Sequence, residues 1–169
     1  SIFSLGIFKW LRSFKINFYY SFIAAILIVC SLKLTELLRF PNAVHSASWL
    51  PWILYGINSL TFKKKYLKGF SIIFFSNLFL LTAGYPYFIV YSVFLFGFYI
   101  GIACPWFLAA DKKEININFV FNVYFKNSIP FILSYLVALP WLLKVRVFLK
   151  NLVDRTENNW AFSTEHAFN

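Results

Sequence analysis

Residues Gly69 to Ala110 form a run of forty-two without one aspartate, glutamate, lysine or arginine. An α-helix needs only ~20 apolar residues to cross a hydrocarbon core of ~30 Å, so a single helix of that length would overshoot a bilayer. The run therefore has to fold back on itself, and Gly84-Tyr85-Pro86 stands where the reversal is needed. Glycine tolerates positive φ, and proline fixes its own φ while pushing the residue before it out of the helical region. The pattern predicts two antiparallel spans, Gly69–Ala83 and Pro86–Ala110, joined by a very tight turn.

Composition agrees with a membrane solvent. The chain is 60% hydrophobic, 23% aromatic and 13% charged, against ~25% charged in soluble domains. Its net charge of +10 could suit a nucleic-acid binder. The cations, however, sit in short clusters between apolar runs, as in loops that flank membrane spans, so nucleic-acid binding is set aside. Cys30 and Cys104 both lie inside apolar runs. A thiol there behaves as a small hydrophobe, so neither disulfide nor metal is indicated. The chain opens on Ser1 and holds no methionine, which leads us to expect a piece of a longer protein. No signal peptide is recognisable at its start.

Ser1–Lys15 reads as the tail of a span or as an interfacial segment, with Lys9, Arg12 and Lys15 among apolar neighbours. Ile16–Leu32 is a short first complete span whose flanking Lys15 and Lys33 can snorkel. Thr35–Ser48 is the least helical part of the first half. Trp49–Phe62 is apolar but short, with Trp49 and Trp52 placed like an interfacial belt. Its helix either begins near Asn42 or is partly re-entrant. After the hairpin and the polar loop Asp111–Glu114, Ile115–Phe125 lies at the interface or begins the next span. The last uncharged run is Asn127–Leu143, which Pro130 and Pro140 kink or bound. The expected fold is an all-α polytopic transmembrane helix bundle of about five spans, with a tight outer hairpin at Gly84–Pro86. Residues 1–169 form a single membrane-embedded region, ending in a polar outer-face tail over 144–169.

Orientation follows from the cations. Five spans put Lys9, Arg12, Lys15, the lysines of 63–68, Lys112, Lys113 and Lys126 on one side. Lys33, Arg39, Lys144, Arg146, Lys150 and Arg155 fall on the other. Ten against six assigns the first set to the cytoplasm by the positive-inside rule. Thr35–Ser48, the Gly84–Pro86 turn and the tail then share the outer face.

Four of the six carboxylates, Glu36, Asp154, Glu157 and Glu165, fall on that outer face together with His45 and His166. Carboxylate and imidazole pairs are raw material for general-base catalysis or metal binding, although any outer loop needs polar residues. No HExxH, GxSxG, Walker or GxGxxG pattern is present. His45, beside Ser46 and near Asn42, reads as a hydrogen-bonded loop residue before a metal ligand. The stripe Tyr85, Tyr87, Tyr91, Tyr99 reads as lipid or helix packing before a sugar platform. Asn77, the only amide side chain in Gly69–Ala110, is expected to bond to a neighbouring helix.

The stretch Ser48-Trp49-Leu50-Pro51-Trp52-Ile53-Leu54-Tyr55-Gly56, a lysine cluster, and a span ending Leu81-Thr82-Ala83-Gly84-Tyr85-Pro86 resemble bacterial YfhO-type membrane proteins. Ala138-Leu139-Pro140, then Asp154-Arg155-Thr156 and Trp160-Ala161-Phe162-Ser163, are similar to that family's proline-ended span leading to an arginine and a serine-containing loop. The resemblance runs from roughly Pro41 to the end. It implies a multi-pass glycosyltransferase of the C superfamily in the bacterial inner membrane, moving a sugar from a polyprenyl-phosphate donor to an outer-face acceptor. Such a donor calls for outer-face cations to hold its phosphate and a carboxylate to activate the acceptor hydroxyl. Arg39 and Arg155 are the expected cations and Glu36 the available carboxylate, with His45 and Tyr85 as further substrate-binding candidates. Members usually carry an acid in the first outer loop, ahead of the matched region, and Tyr85 stands at the usual turn histidine. The expected partners are membrane lipid and the sugar donor, with no metal or organic cofactor. The competing class is a non-enzymatic transporter or lipid-translocating subunit, which proline-broken helices also fit.

Overall fold

The computed structural model describes residues 1–31, 41–63, 65–83, 85–103 and 117–153, and all regular structure among them is helical. The helices are α1 (Ile2–Ser13), α2 (Phe18–Val29), α3 (Pro41–Thr61), α4 (Tyr66–Thr82), α5 (Pro86–Phe98) and α6 (Ile117–Val153). A π-helical turn, Tyr99–Ala103, prolongs α5.

Local chemistry sets most of the ends. Ser1 and Ser4 close a capping box on α1. Lys15 takes a positive φ of 64° between α1 and α2, and the Asn17 side chain accepts from the Tyr19 amide to cap α2. Pro41 is the first residue of α3, a position its fixed φ suits. Asn42, His45, Ser46 and Ser48 are therefore helical, which decides between the earlier helix start and the re-entrant segment. Helix α4 ends at Thr82, Tyr85 is extended (φ −103°, ψ 102°), and Pro86 opens α5. The break falls at the expected reversal; Gly84 itself lies outside the described residues.

Pro130 and Pro140 do not bound the last span. Both lie inside α6, a helix of 37 residues, which at ~1.5 Å per residue reaches ~55 Å. It takes in residues 117–125 at its start and runs past Lys144 and Arg146 to Val153, so the expected outer tail begins as helix.

Side-chain contacts give the directions. The ring of Trp49, midway along α3, lies 4.8 Å from that of Phe79 near the end of α4, while Leu60 near the end of α3 meets Gly69 near the start of α4, so these helices are antiparallel. Lys126 lies over Tyr66 at 5.1 Å and Asn77 reaches Ser134 at 2.6 Å, so α4 and α6 are parallel. Phe96 stacks on Phe131 at 4.0 Å and Ser92 meets Tyr135 at 3.3 Å, so α5 opposes α6. Hence α5 runs back against α4, as the uncharged run requires. On the other flank α1 follows the direction of α3, with Ile2 at Trp52 and Ser13 at Asn58, and α2 returns beside α1.

Among the described residues one stretch, the 28 residues Val120–Val147, is long and apolar enough to cross a membrane, with a mean hydropathy of 1.7 in its 18-residue window. Phe18–Val29, Tyr66–Thr82 and Tyr87–Ile102 are apolar but shorter. The interior is largely apolar, with Ile53, Ile57, Ile73, Leu80, Leu81 and Ile100 fully buried, but it also holds polar side chains. Asn58, Asn77, Asn127, Ser21 and Ser134 are fully buried, whereas Tyr19 (72%), Leu27 (66%), Phe94 (71%) and Phe121 (73%) face outward.

Candidate functional site

The sequence-derived site is only partly within the described residues. Glu36, Arg39 and Arg155 lie outside them. His45 is exposed on the second turn of α3, its ring 6.2 Å from that of Trp49. Tyr85 is half-buried at the start of α5, against Tyr87 at 5.7 Å and Phe88 at 5.6 Å. Both residues occupy the end of the bundle opposite the Lys63–Lys68 turn, but no hydrogen bond or ring contact joins them among the described residues. Among those residues no group of three histidine, cysteine or acidic side chains could hold a metal ion.

What the fold does bring together is a buried polar node where α1, α3 and the π turn meet. Tyr99 donates its hydroxyl to Asn58 Oδ1 at 2.7 Å and accepts from the Trp10 indole at 3.0 Å. Asn58 Nδ2 donates to Ser13 Oγ at 2.7 Å, and Ser13 Oγ donates to the Trp10 carbonyl. Two further contacts between helices extend this pattern: Asn77 Nδ2 to Ser134 Oγ, and Asn127 Nδ2 to Thr61 Oγ1 at 3.1 Å. Every α3–α6 helix except α5 thus receives an amide bond, and α5 is tied through Tyr99 and Ser92. None of these groups carries a formal charge, and their bonds join α1 and α3 to the π turn.

The expected roles of the aromatics divide. Trp52, expected in an interfacial belt, lies midway along α3 and donates its indole to the Ile2 carbonyl at 3.0 Å, which ties α1 to α3. Tyr87 and Tyr91 face outward, whereas Tyr99 is buried in the node. Asn77 bonds a neighbouring helix, as its position in an uncharged run suggests. Asn58 and Asn127 carry the same signal, an amide inside an apolar run, and reading each such amide as an interhelical bond would have found them.

Replacing Asn58 by leucine removes two interhelical hydrogen bonds. At roughly 0.6 to 1.7 kcal/mol each in a membrane setting, the protein should lose about 1–3 kcal/mol. Unfolding by SDS from mixed micelles measures this; an unchanged midpoint would mean the node adds nothing net to the bundle.

Comparison with protein families, with curated proteins and with solved structures finds no match to this chain.

Proposed function

We propose that the chain is a multi-pass membrane protein of the bacterial inner membrane, with the helices from α2 to α6 as its spans. The observation that carries this is the apolar exterior, phenylalanine, leucine and tyrosine facing outward around an interior that mixes apolar side chains such as Ile53, Ile57 and Leu80 with buried amides and hydroxyls. In water such exposed apolar surface marks an interface. In lipid it faces a solvent as apolar as itself, and buried polar groups become the adhesive between helices. Alternation of helix direction supports the same reading. It collects Lys9, Arg12, Lys15, Lys63, Lys65, Lys68 and Lys126 at one end, while Lys144 and Arg146 lie toward the other.

Within that frame the activity we propose is transfer of a sugar from a polyprenyl-phosphate donor at the outer face, with Arg155 and Arg39 on the phosphate and Glu36 as the acceptor's base. Its support is the sequence resemblance, together with a topology that assigns these residues to the same side. Arginine's planar fork donates two parallel bonds to a phosphate, which lysine cannot reproduce. Arg155→Lys should therefore lower donor turnover about tenfold at low donor concentration, in membranes holding matched amounts of protein. Unchanged turnover would return Arg155 to the ordinary surface, where charges contribute little.

The second reading, a lipid-translocating subunit, draws on the π turn at Tyr99–Ala103, since such turns within helices often mark functional positions. Movement of the donor lipid across vesicles, with no sugar transferred, is the result that favours it.

A further inference from the structure

We propose that the cleft between the start of α4 and the Lys126 turn of α6 holds one anionic phospholipid, its acyl chain in the cleft and its phosphate at the lysines; this rests on the membrane reading above. The cleft, of about 230 Å³, is lined by Leu60, Tyr66, Leu67, Phe70, Lys126 and Ile129. Five of these present carbon to whatever lies between the helices, and Leu67 is 86% exposed, so the cleft opens sideways where acyl chains would run. Lys126 alone brings charge to its rim, held over the Tyr66 ring at 5.1 Å. Lys63 and Lys68 stand at the same end, each about 6 Å from the Tyr55 ring (5.8 and 5.9 Å).

A ring face attracts an ammonium but supplies no net negative charge. The carboxylates the sequence assigns to this side are Asp111 and Glu114, against ten cations, so an excess of positive charge remains wherever that loop lies. The occupant must therefore combine a phosphate carrying net negative charge with a hydrocarbon tail. Free phosphate has no tail to cover Leu60, Phe70 and Ile129. A zwitterionic lipid brings its own cation to the lysines. Basic pockets between membrane helices on the cytoplasmic side suit anionic headgroups for the same reason, with about fivefold in affinity for each lysine near the surface.

The test is native mass spectrometry of the full chain in detergent, titrated with dioleoyl phosphatidylglycerol or dioleoyl phosphatidylcholine. The expected result is one phosphatidylglycerol retained several-fold more tightly than phosphatidylcholine. Lys126→Gln should weaken it about fivefold. Ile129→Trp, which fills the cleft at an exposed position and leaves every lysine in place, should remove the tight site. Thermal midpoints of both variants within a few degrees of wild type establish that they are folded. Equal affinity for the two lipids overturns the proposal, as does full binding by Ile129→Trp, which would reduce the effect to diffuse charge attraction. Alkaline carbonate extraction separates the two levels of inference. A chain released from membranes overturns the membrane reading as well; a chain that stays but shows no lipid preference overturns only this site.

Discussion

Gly69→Ala will destabilise the bundle, while the same change at Gly97 will not. A Cβ on Gly69 would sit 2.7 Å from the Leu60 Cβ, 2.8 Å from the Leu60 amide nitrogen and 3.0 Å from the Gly56 carbonyl oxygen. Two of those three atoms are backbone, so no rotamer change relieves the clash. Gly56 makes the reciprocal approach, its Cβ position lying 2.7 Å from Ile73 Cγ1 and 3.0 Å from the Ile73 nitrogen. Here α3 and α4 pack nearly backbone to backbone, the geometry small residues permit between membrane helices. Forcing them apart also strains the Asn77 and Asn127 bonds that α6 makes to the pair. Alanine gains about 1 kcal/mol in helix propensity over glycine, so the overpacking cost, typically 1–3 kcal/mol and here resisted by backbone, must exceed that gain. Gly97 has no atom within 4 Å of its Cβ position and should show the propensity gain alone. SDS titration of both variants decides the matter. A Gly69→Ala protein as stable as Gly97→Ala would show that α3 and α4 do not approach as described.

The second result concerns sidedness and should be nearly all-or-none. In a chain with Cys30 and Cys104 replaced by serine, a cysteine at Lys65 should resist an impermeant thiol reagent in intact cells and react only after permeabilisation. A cysteine at Thr82 should react at once. The background matters because Cys30 is exposed and free. Both test positions are exposed, and they stand at opposite ends of α4, whose length of 17 residues corresponds to ~26 Å. The reasoning is electrostatic: cations resist translocation, so the end that gathers seven of the described lysines and arginines is the one expected in the cytoplasm under the proposed membrane reading. Equal labelling, or the reverse order, would overturn this topology.

The sequence alone determined the features that depend on local conformation and on bulk polarity. The reversal at Gly84–Pro86 was legible because proline and glycine restrict the chain whatever surrounds them, and α5 indeed opens on Pro86. The helical class followed from long uncharged runs, since backbone groups taken out of water must bond within their own segment. Asn77 could be assigned a partner helix, though not Ser134 as the partner. Tertiary structure decided which faces meet. In helices apolar nearly all round, such as α2 and α5, hydropathy does not distinguish inside from outside. Rotation is then set by where glycines admit a neighbour's backbone and where amides find hydroxyls, both of which require the partner helix to be in place. The node of Trp10, Ser13, Asn58 and Tyr99 draws on residues up to 89 positions apart, beyond the reach of any local pattern. The same holds for Pro130 and Pro140. Locally each forbids one backbone hydrogen bond and argues for a break, yet α6 continues through both because α4 and α5 pack along it.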